Sequence, residues 1–189
     1  MAEDVKARIV DAAVRLLESK GAKGFGQVKV AREAGLQQGH LTYYFPKKSD
    51  LVAAVLARLS ERARGEFERV IEGRGPLGAA ASEEVFFDLV RALLRDRKRS
   101  RILAALLAEA VDDAEVGAAL GAQVRAQRAV MASLLGRDAD DLDVHLALAA
   151  LRGLGIESLL APDEPQHVEE VIARFRAWFV RRPTTTGQT

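Results

Sequence analysis

Apolar residues recur three and four apart along almost the whole chain, and no stretch alternates apolar with polar in the two-residue rhythm of a strand. Val5, Ile9, Ala13, Leu16 and Leu17 form one stripe, and Gly21 after Lys20 supplies a stop, so a first helix is expected over about residues 4–20. A short helix over about residues 27–34 ends at Gly35, and another over about 37–45 is stopped by Pro46. A long helix then starts near Lys48 and carries Leu51, Val55, Leu59, Ala63, Phe67 and Val70. The run from Gly73 through Gly75, Pro76 and Gly78 to Ser82 reads as a flexible connection. Ser82 with Glu83 and Glu84 has the composition of a helix start, and Val85, Phe86, Leu89, Val90, Leu93 and Leu94 share one face beyond it. The charged run Arg95 to Arg101 interrupts the pattern before an apolar helix over about 102–111. Helices over about 115–135, closed by Gly136, then about 140–160 and 166–181 bring the expected total to about nine in an all-α chain.

Composition narrows the class. Apolar residues make up 49% and charged residues 29% of 189 residues, the balance of a globular protein with a packed core. No apolar run approaches the roughly 18–20 residues of a membrane span, and the acidic start Met1-Ala2-Glu3-Asp4 is unlike a signal peptide, so a cytoplasmic location and no membrane partner are expected. Zero cysteines exclude disulfides, thiolate metal sites and a cysteine nucleophile. The net charge of +1 hides an asymmetry: residues 1–64 hold 12 Lys and Arg against 7 Asp and Glu, whereas residues 65–189 hold 16 against 20. A basic front end suits phosphate; an acidic remainder does not. Scatter of surface charge accounts for the same asymmetry equally well.

Two short helices joined through Gly35-Leu36 have the size of a helix-turn-helix. Leu36 at the joint and Leu41 and Phe45 in the second helix are expected to face a core, leaving Gln38, His40, Thr42 and Tyr43 outward. Such a face has few charges and many hydrogen-bonding groups, the surface a major groove accepts, with Lys29, Arg32, Lys47 and Lys48 supplying charge on the flanks. An ordinary solvated helical hairpin is the alternative.

The run from Gly21 to Ala31, then Ala34-Gly35-Leu36, Gly39-His40-Leu41, Tyr43-Tyr44-Phe45-Pro46, Lys48 and Leu51 closely resembles the DNA-binding signature of the TetR family of transcriptional regulators, over roughly the first 60 residues. The resemblance implies a three-helix DNA-binding head at residues 1–46, a helical ligand-binding and dimerisation body at 47–182, and a disordered tail at 183–189. It implies a homodimer that binds a palindromic double-stranded operator as a repressor and is released by a small-molecule effector. It assigns Gln38, Gly39, His40 and Tyr43 to base contact and Gln37, Thr42, Tyr44 and Lys48 to phosphate. Gln27 and Lys29 join the set, Gln27 because it opens a helix whose free N–H groups favour phosphate. The chain departs from the family's usual pattern at Gly26, Gln37 and Thr42, where Thr, Ser and Tyr are frequent. Glycine is a tolerable N-cap, so the first change costs only a few tenths of a kcal/mol.

In the body, the last two helices carry too much apolar surface for water: Leu142, Leu146, Leu148, Leu151, Leu154, Leu159 and Leu160 on one, Val168, Ile172, Phe175, Trp178 and Phe179 on the other. By analogy with the family, Leu151, Leu154, Leu159, Ile172, Phe175 and Phe179 are the expected dimer contacts; completion of the protomer's own core is the alternative reading. An apolar pocket is expected among Phe67, Phe86, Phe87, Leu106 and Met131, with Glu109, Gln127, Arg128 and His145 orienting a ligand. The expected mechanism has the long fourth helix move as a lever that spreads the two heads.

No catalytic residue, cofactor or metal is expected. Gly73 to Gly78 matches a dinucleotide fingerprint by spacing but follows a helix and contains a proline, and the three histidines, His40, His145 and His167, show no ligand spacing. A small helical enzyme using the apolar body, or a helical interaction dimer without DNA binding, are the competing functions.

Overall fold

The computed structural model describes residues 2–72, 79–160 and 166–180; most of the glycine-rich connection and the tail at 183–189 lie outside them. The described residues form nine α-helices and no strand. In order these are α1 (Ala2–Lys20), α2 (Gln27–Glu33), α3 (Gln38–Tyr44), α4 (Lys48–Ile71), α5 (Ala79–Arg95), α6 (Arg97–Asp112), α7 (Ala114–Leu134), α8 (Leu142–Leu160) and α9 (Gln166–Val180), with one 3-10 turn at Gly21–Gly24. None of them is long and apolar enough to cross a membrane.

Two expected boundaries shift. α5 begins at Ala79 rather than Ser82, because the alanines before Ser82 are strong helix formers. The run Arg95 to Arg101 is not an interruption: the break narrows to Asp96, and α6 starts at Arg97. Its basic residues form helix readily on the solvent side, Arg97, Lys98 and Arg101 being exposed, while Ser100 and Ile102 are buried on the inner side. A polar serine in the buried stripe disguised the helical period.

The chain divides into two compact units: residues 1–64 with 98–125, and residues 65–97 with 126–189. The first is built on α1, whose stripe of Ile9, Val10, Ala13, Val14, Leu16 and Leu17 is buried against Phe25, Val30, Leu41 and Phe45 of the head and Leu51, Val52, Val55 and Leu59 of α4. Ile102, Leu106, Val116 and Leu120 from α6 and α7 belong to the same core. The head therefore has no private core; it shares one with the start of α4 and with α6. In the second unit α5 packs on α8 and α9, burying Val85, Phe86, Phe87 and Val90 together with Met131, Val144, Leu148 and Ile172. Arg91 and Arg95 of α5 both hold Glu169 of α9, at 3.0 and 2.7 Å.

Glycine is required at the turn between α2 and α3. Gly35 sits at φ +67°, and its N–H and that of Leu36 cap the helix by donating to Arg32 O at 3.1 Å and Ala31 O at 2.8 Å. Gly35→Ala should cost about 1 kcal/mol through left-handed strain, and Leu41→Ala, which empties a fully buried site on α3, about 2–5 kcal/mol; the shift in urea midpoint of each variant against wild type measures both.

Candidate nucleic-acid interface

α3 is a seven-residue helix fixed by one side. Leu41 is fully buried and Phe45, just past its end, is buried as well, so the remaining face is turned to solvent. Gln37, Gln38, Gly39, His40, Thr42 and Tyr43 are all exposed, Tyr43 by 79%. Tyr44 is half-buried and meets the Tyr43 ring edge-on at 5.1 Å, so it backs Tyr43 from behind. Thr42 Oγ1 donates to Gln38 O at 3.1 Å, which engages its hydroxyl within the helix. A Cβ at Gly39 would meet nothing within 4 Å, so packing does not demand glycine there; the glycine leaves the backbone open to whatever approaches from outside.

The flanking residues have internal partners. Gln27 Nε2 donates to Phe45 O at 3.3 Å, tying the start of α2 to the end of α3. Lys29 donates to the carbonyl of Lys23. Lys48 is ion-paired with Glu109 of α6 and lies 5.9 Å over the Phe25 ring. Lys47 meets Glu115, the second residue of α7, at 2.8 Å, and Ser49 Oγ donates to the same carboxylate at 2.9 Å. Glu115 is thereby held below the ordinary carboxylate range, first by its hydrogen bond from Lys47 and then by that from Ser49, and Lys47 is raised above 10.5 by the same hydrogen bond. Ser49 and Glu115 were not among the expected site residues; acidic positions so far along the chain give no local signal that they will meet the start of α4.

The expected pocket residues fall in both compact units. Leu106, fully buried, and Glu109 belong to the first. Phe67, Phe86, Phe87, Met131, Gln127, Arg128 and His145 belong to the second. There the structure brings three of them together across α7 and α8: Arg128 NH1 lies 2.5 Å from His145 Nε2, and Gln127 Oε1 accepts from Arg152 NH2 at 2.7 Å. Arg152 was not foreseen.

Of the expected dimer contacts, Leu151, Leu154 and Leu159 are half-buried within the chain and Ile172 is buried. Phe175 is half-buried, its ring 6.2 Å from that of Phe87; the side chain of Phe179 lies outside the described residues. The large apolar side chains that α8 leaves exposed are Leu142, Leu146 and Leu160, at 81, 52 and 80%. Ala149 and Gly153 are exposed between them, so small residues interrupt the leucines along one face.

Residues 9–55 match the family described as bacterial regulatory proteins of the tetR family. Among solved structures, a transcriptional regulator from Rhodococcus sp. Rha1 is similar at 20% identity with a TM-score of 0.75, covering 93% of this chain and 96% of that one. A member of the TetR family from Streptomyces coelicolor A3 is 25% identical with a TM-score of 0.62, over 90% and 97% of the two chains. The multidrug binding protein EbrR, solved with proflavin, is 25% identical with a TM-score of 0.59, over 90% and 99%. No curated protein matches the sequence.

The bond between Lys47 and Glu115 sets a pH dependence. Because Glu115 is depressed, its contribution is present above the ordinary carboxylate range and disappears as pH falls through its folded value; because Lys47 is raised, the contribution also disappears as pH rises beyond 10.5. Glu115→Gln should therefore lower the melting temperature slightly and by a constant amount across neutral pH, and the gap to wild type should close in acid. Melting curves from pH 2 to pH 8 test this; a gap that persists undiminished at pH 2 is the contrary result.

Proposed function

We propose, from the match of residues 9–55 to the bacterial tetR family of regulatory proteins, that the chain is a homodimeric repressor that reads a two-fold symmetric operator through α3 and leaves it on binding a small molecule. The observation that carries this reading is the solvent face of α3: five uncharged or weakly basic positions, Gln38, Gly39, His40, Thr42 and Tyr43, exposed around a fully buried Leu41. Amide, imidazole and phenol groups on a rigid short helix suit base edges in a major groove. Gln37, Tyr44, Lys29 and Lys48 flank that face and are proposed to reach the phosphates, Lys48 by exchanging Glu109 for phosphate. Gln27 is proposed to act through its backbone, since its side chain is committed to Phe45 O. Residues 1–46 then form the DNA-binding part and residues 47–182 the sensing and dimerising part, even though the head shares its core with α4 and α6.

Homodimerisation is supported by the exposed leucines of α8. Leu142, Leu146 and Leu160, with Ala149 and Gly153 between them, form an apolar face that a second copy can cover, with Leu151, Leu154, Leu159 and Phe175 supporting it from behind. Two recognition helices held about 34–36 Å apart then face successive turns of the major groove. Sensing by the body is supported by the likeness to EbrR, which was solved with proflavin, and by the polar group of Gln127, Arg128 and His145 in the second unit. Glu109 and Glu115 give the mechanism its linkage: they bind Lys48, and Lys47 with Ser49, at the start of α4, so a shift of α6 or α7 is felt beside the recognition helix. A ligand drives release only in so far as it binds the released arrangement better.

Selection from a random double-stranded DNA pool should enrich a two-fold symmetric site for the wild type and none for the His40→Ala, Tyr43→Ala double variant at equal stability; no enrichment by the folded wild type would overturn the repressor reading. Leu146→Arg should convert dimer to monomer in sedimentation at micromolar concentration and weaken operator binding at least tenfold, as expected when a charge is placed in an apolar interface.

A further inference from the structure

The buried stripe of α8 is Val144, Ala147, Leu148 and Gly155. Arg152 stands four residues after Leu148 and three before Gly155, so it falls on this stripe, where it is half-buried. Its one hydrogen bond goes to the neutral Oε1 of Gln127 at 2.7 Å. Burial alone pushes the guanidinium down from its ordinary value, with no carboxylate acting against it. Arg128, next to Gln127 on α7, is the second cation of the group. Its NH1 is set against His145, its Nε is buried without a hydrogen-bond partner, and its nearest carboxylate, that of the highly exposed Asp140, lies 3.8 Å from NH2.

Another arginine of the same unit shows how this chain neutralises a buried guanidinium when its role is structural. Arg137, between α7 and α8, meets Asp141 at 2.8 Å and Asp143 at 3.3 Å, both largely buried carboxylates. A buried cation without such a partner is costly, and apolar replacement of it commonly stabilises a protein. Arg152 and Arg128 thus leave a positive surplus on the inner side of α7 and α8, with planar donor forks that match a planar or tetrahedral oxyanion.

We propose that Arg152, held by Gln127 and with Arg128 as the next residue along α7, is the recognition site for an anionic effector, a small molecule bearing a carboxylate or phosphate group. The proposal rests on the sensor reading above and names the chemical class of ligand. The remaining guanidinium N–H groups of Arg152 bind the anion, and the Gln127 amide that holds Arg152 NH2 at 2.7 Å orients the fork.

Thermal unfolding of the full-length protein tests it, with sodium benzoate, sodium octanoate and inorganic phosphate as probes at matched ionic strength, and sodium chloride and tetramethylammonium chloride as controls. At least one anion should raise the wild-type midpoint by about 2–4 °C or more, and the controls should not; a response to the carboxylates, to phosphate or to both identifies the group recognised. Arg152→Met should melt higher than wild type without ligand and lose the anion response. Arg152→Lys, which keeps the charge but not the fork, should fold and bind the responding anion at least tenfold more weakly. Three results overturn the proposal: no anion shifts the wild type, Arg152→Met lowers the unliganded midpoint, or Arg152→Lys binds as wild type does. DNA selection on the same protein keeps the two readings apart, since enrichment without any anion response leaves the repressor standing and removes this site alone.

Discussion

Burial of one stripe of α1 is the constraint on which the first unit depends. Ile9, Val14 and Leu17 are enclosed at once by the head and by α4, and this single packing orients α3 because Leu41 and Phe45 must join it. With those two positions turned inward, the geometry of a seven-residue helix leaves its polar residues no other direction than outward. The proposed recognition face and the stabilising face thus lie on opposite sides of the same short helix. The head can vary its outward side chains without touching the core, but it cannot be detached from α4 and α6, whose Leu51, Val55, Ile102 and Leu106 close that core.

Much of this was legible in the amino-acid order because it depends on local signals. Leu41 and Phe45 are four apart, Gly35 sits where the backbone turns left-handed, and Pro46 ends α3, each a short-range rule that holds regardless of tertiary context. The inner side of α6 was misread because Ser100 takes a position that an apolar residue usually fills, and the basic residues around it are good helix formers that carry no periodic signal.

What stayed hidden depends on distance along the chain. Lys47 and Glu115 are 68 residues apart, Gln127 and Arg152 are 25 apart, and no spacing rule links them. Arg152 is instructive, since a charged residue flanked by leucines and glycines reads as a surface position, and only the packing of α8 turns it inward. The leucines of α8 were equally ambiguous: apolar residues nearly all round a helix do not say which of its sides meets the protomer and which does not, and the structure separates Leu148, buried, from Leu142 and Leu160, exposed.

The pairs at the start of α4 alter how the head's charge should be counted. A free lysine gathers mobile anions from solution, and docking against a phosphate releases the phosphate's own condensed cations, which is what makes affinity depend on salt. Lys47 and Lys48 already have tethered counterions, Glu115 and Glu109, supplied by the protein itself. Any phosphate that reaches these lysines must exchange with a carboxylate that cannot diffuse away, and whose negative charge remains beside the new contact. The front end's basic surplus is therefore an upper bound on the charge that DNA would meet, because acids carried on α6 and α7 cancel part of it at the start of α4.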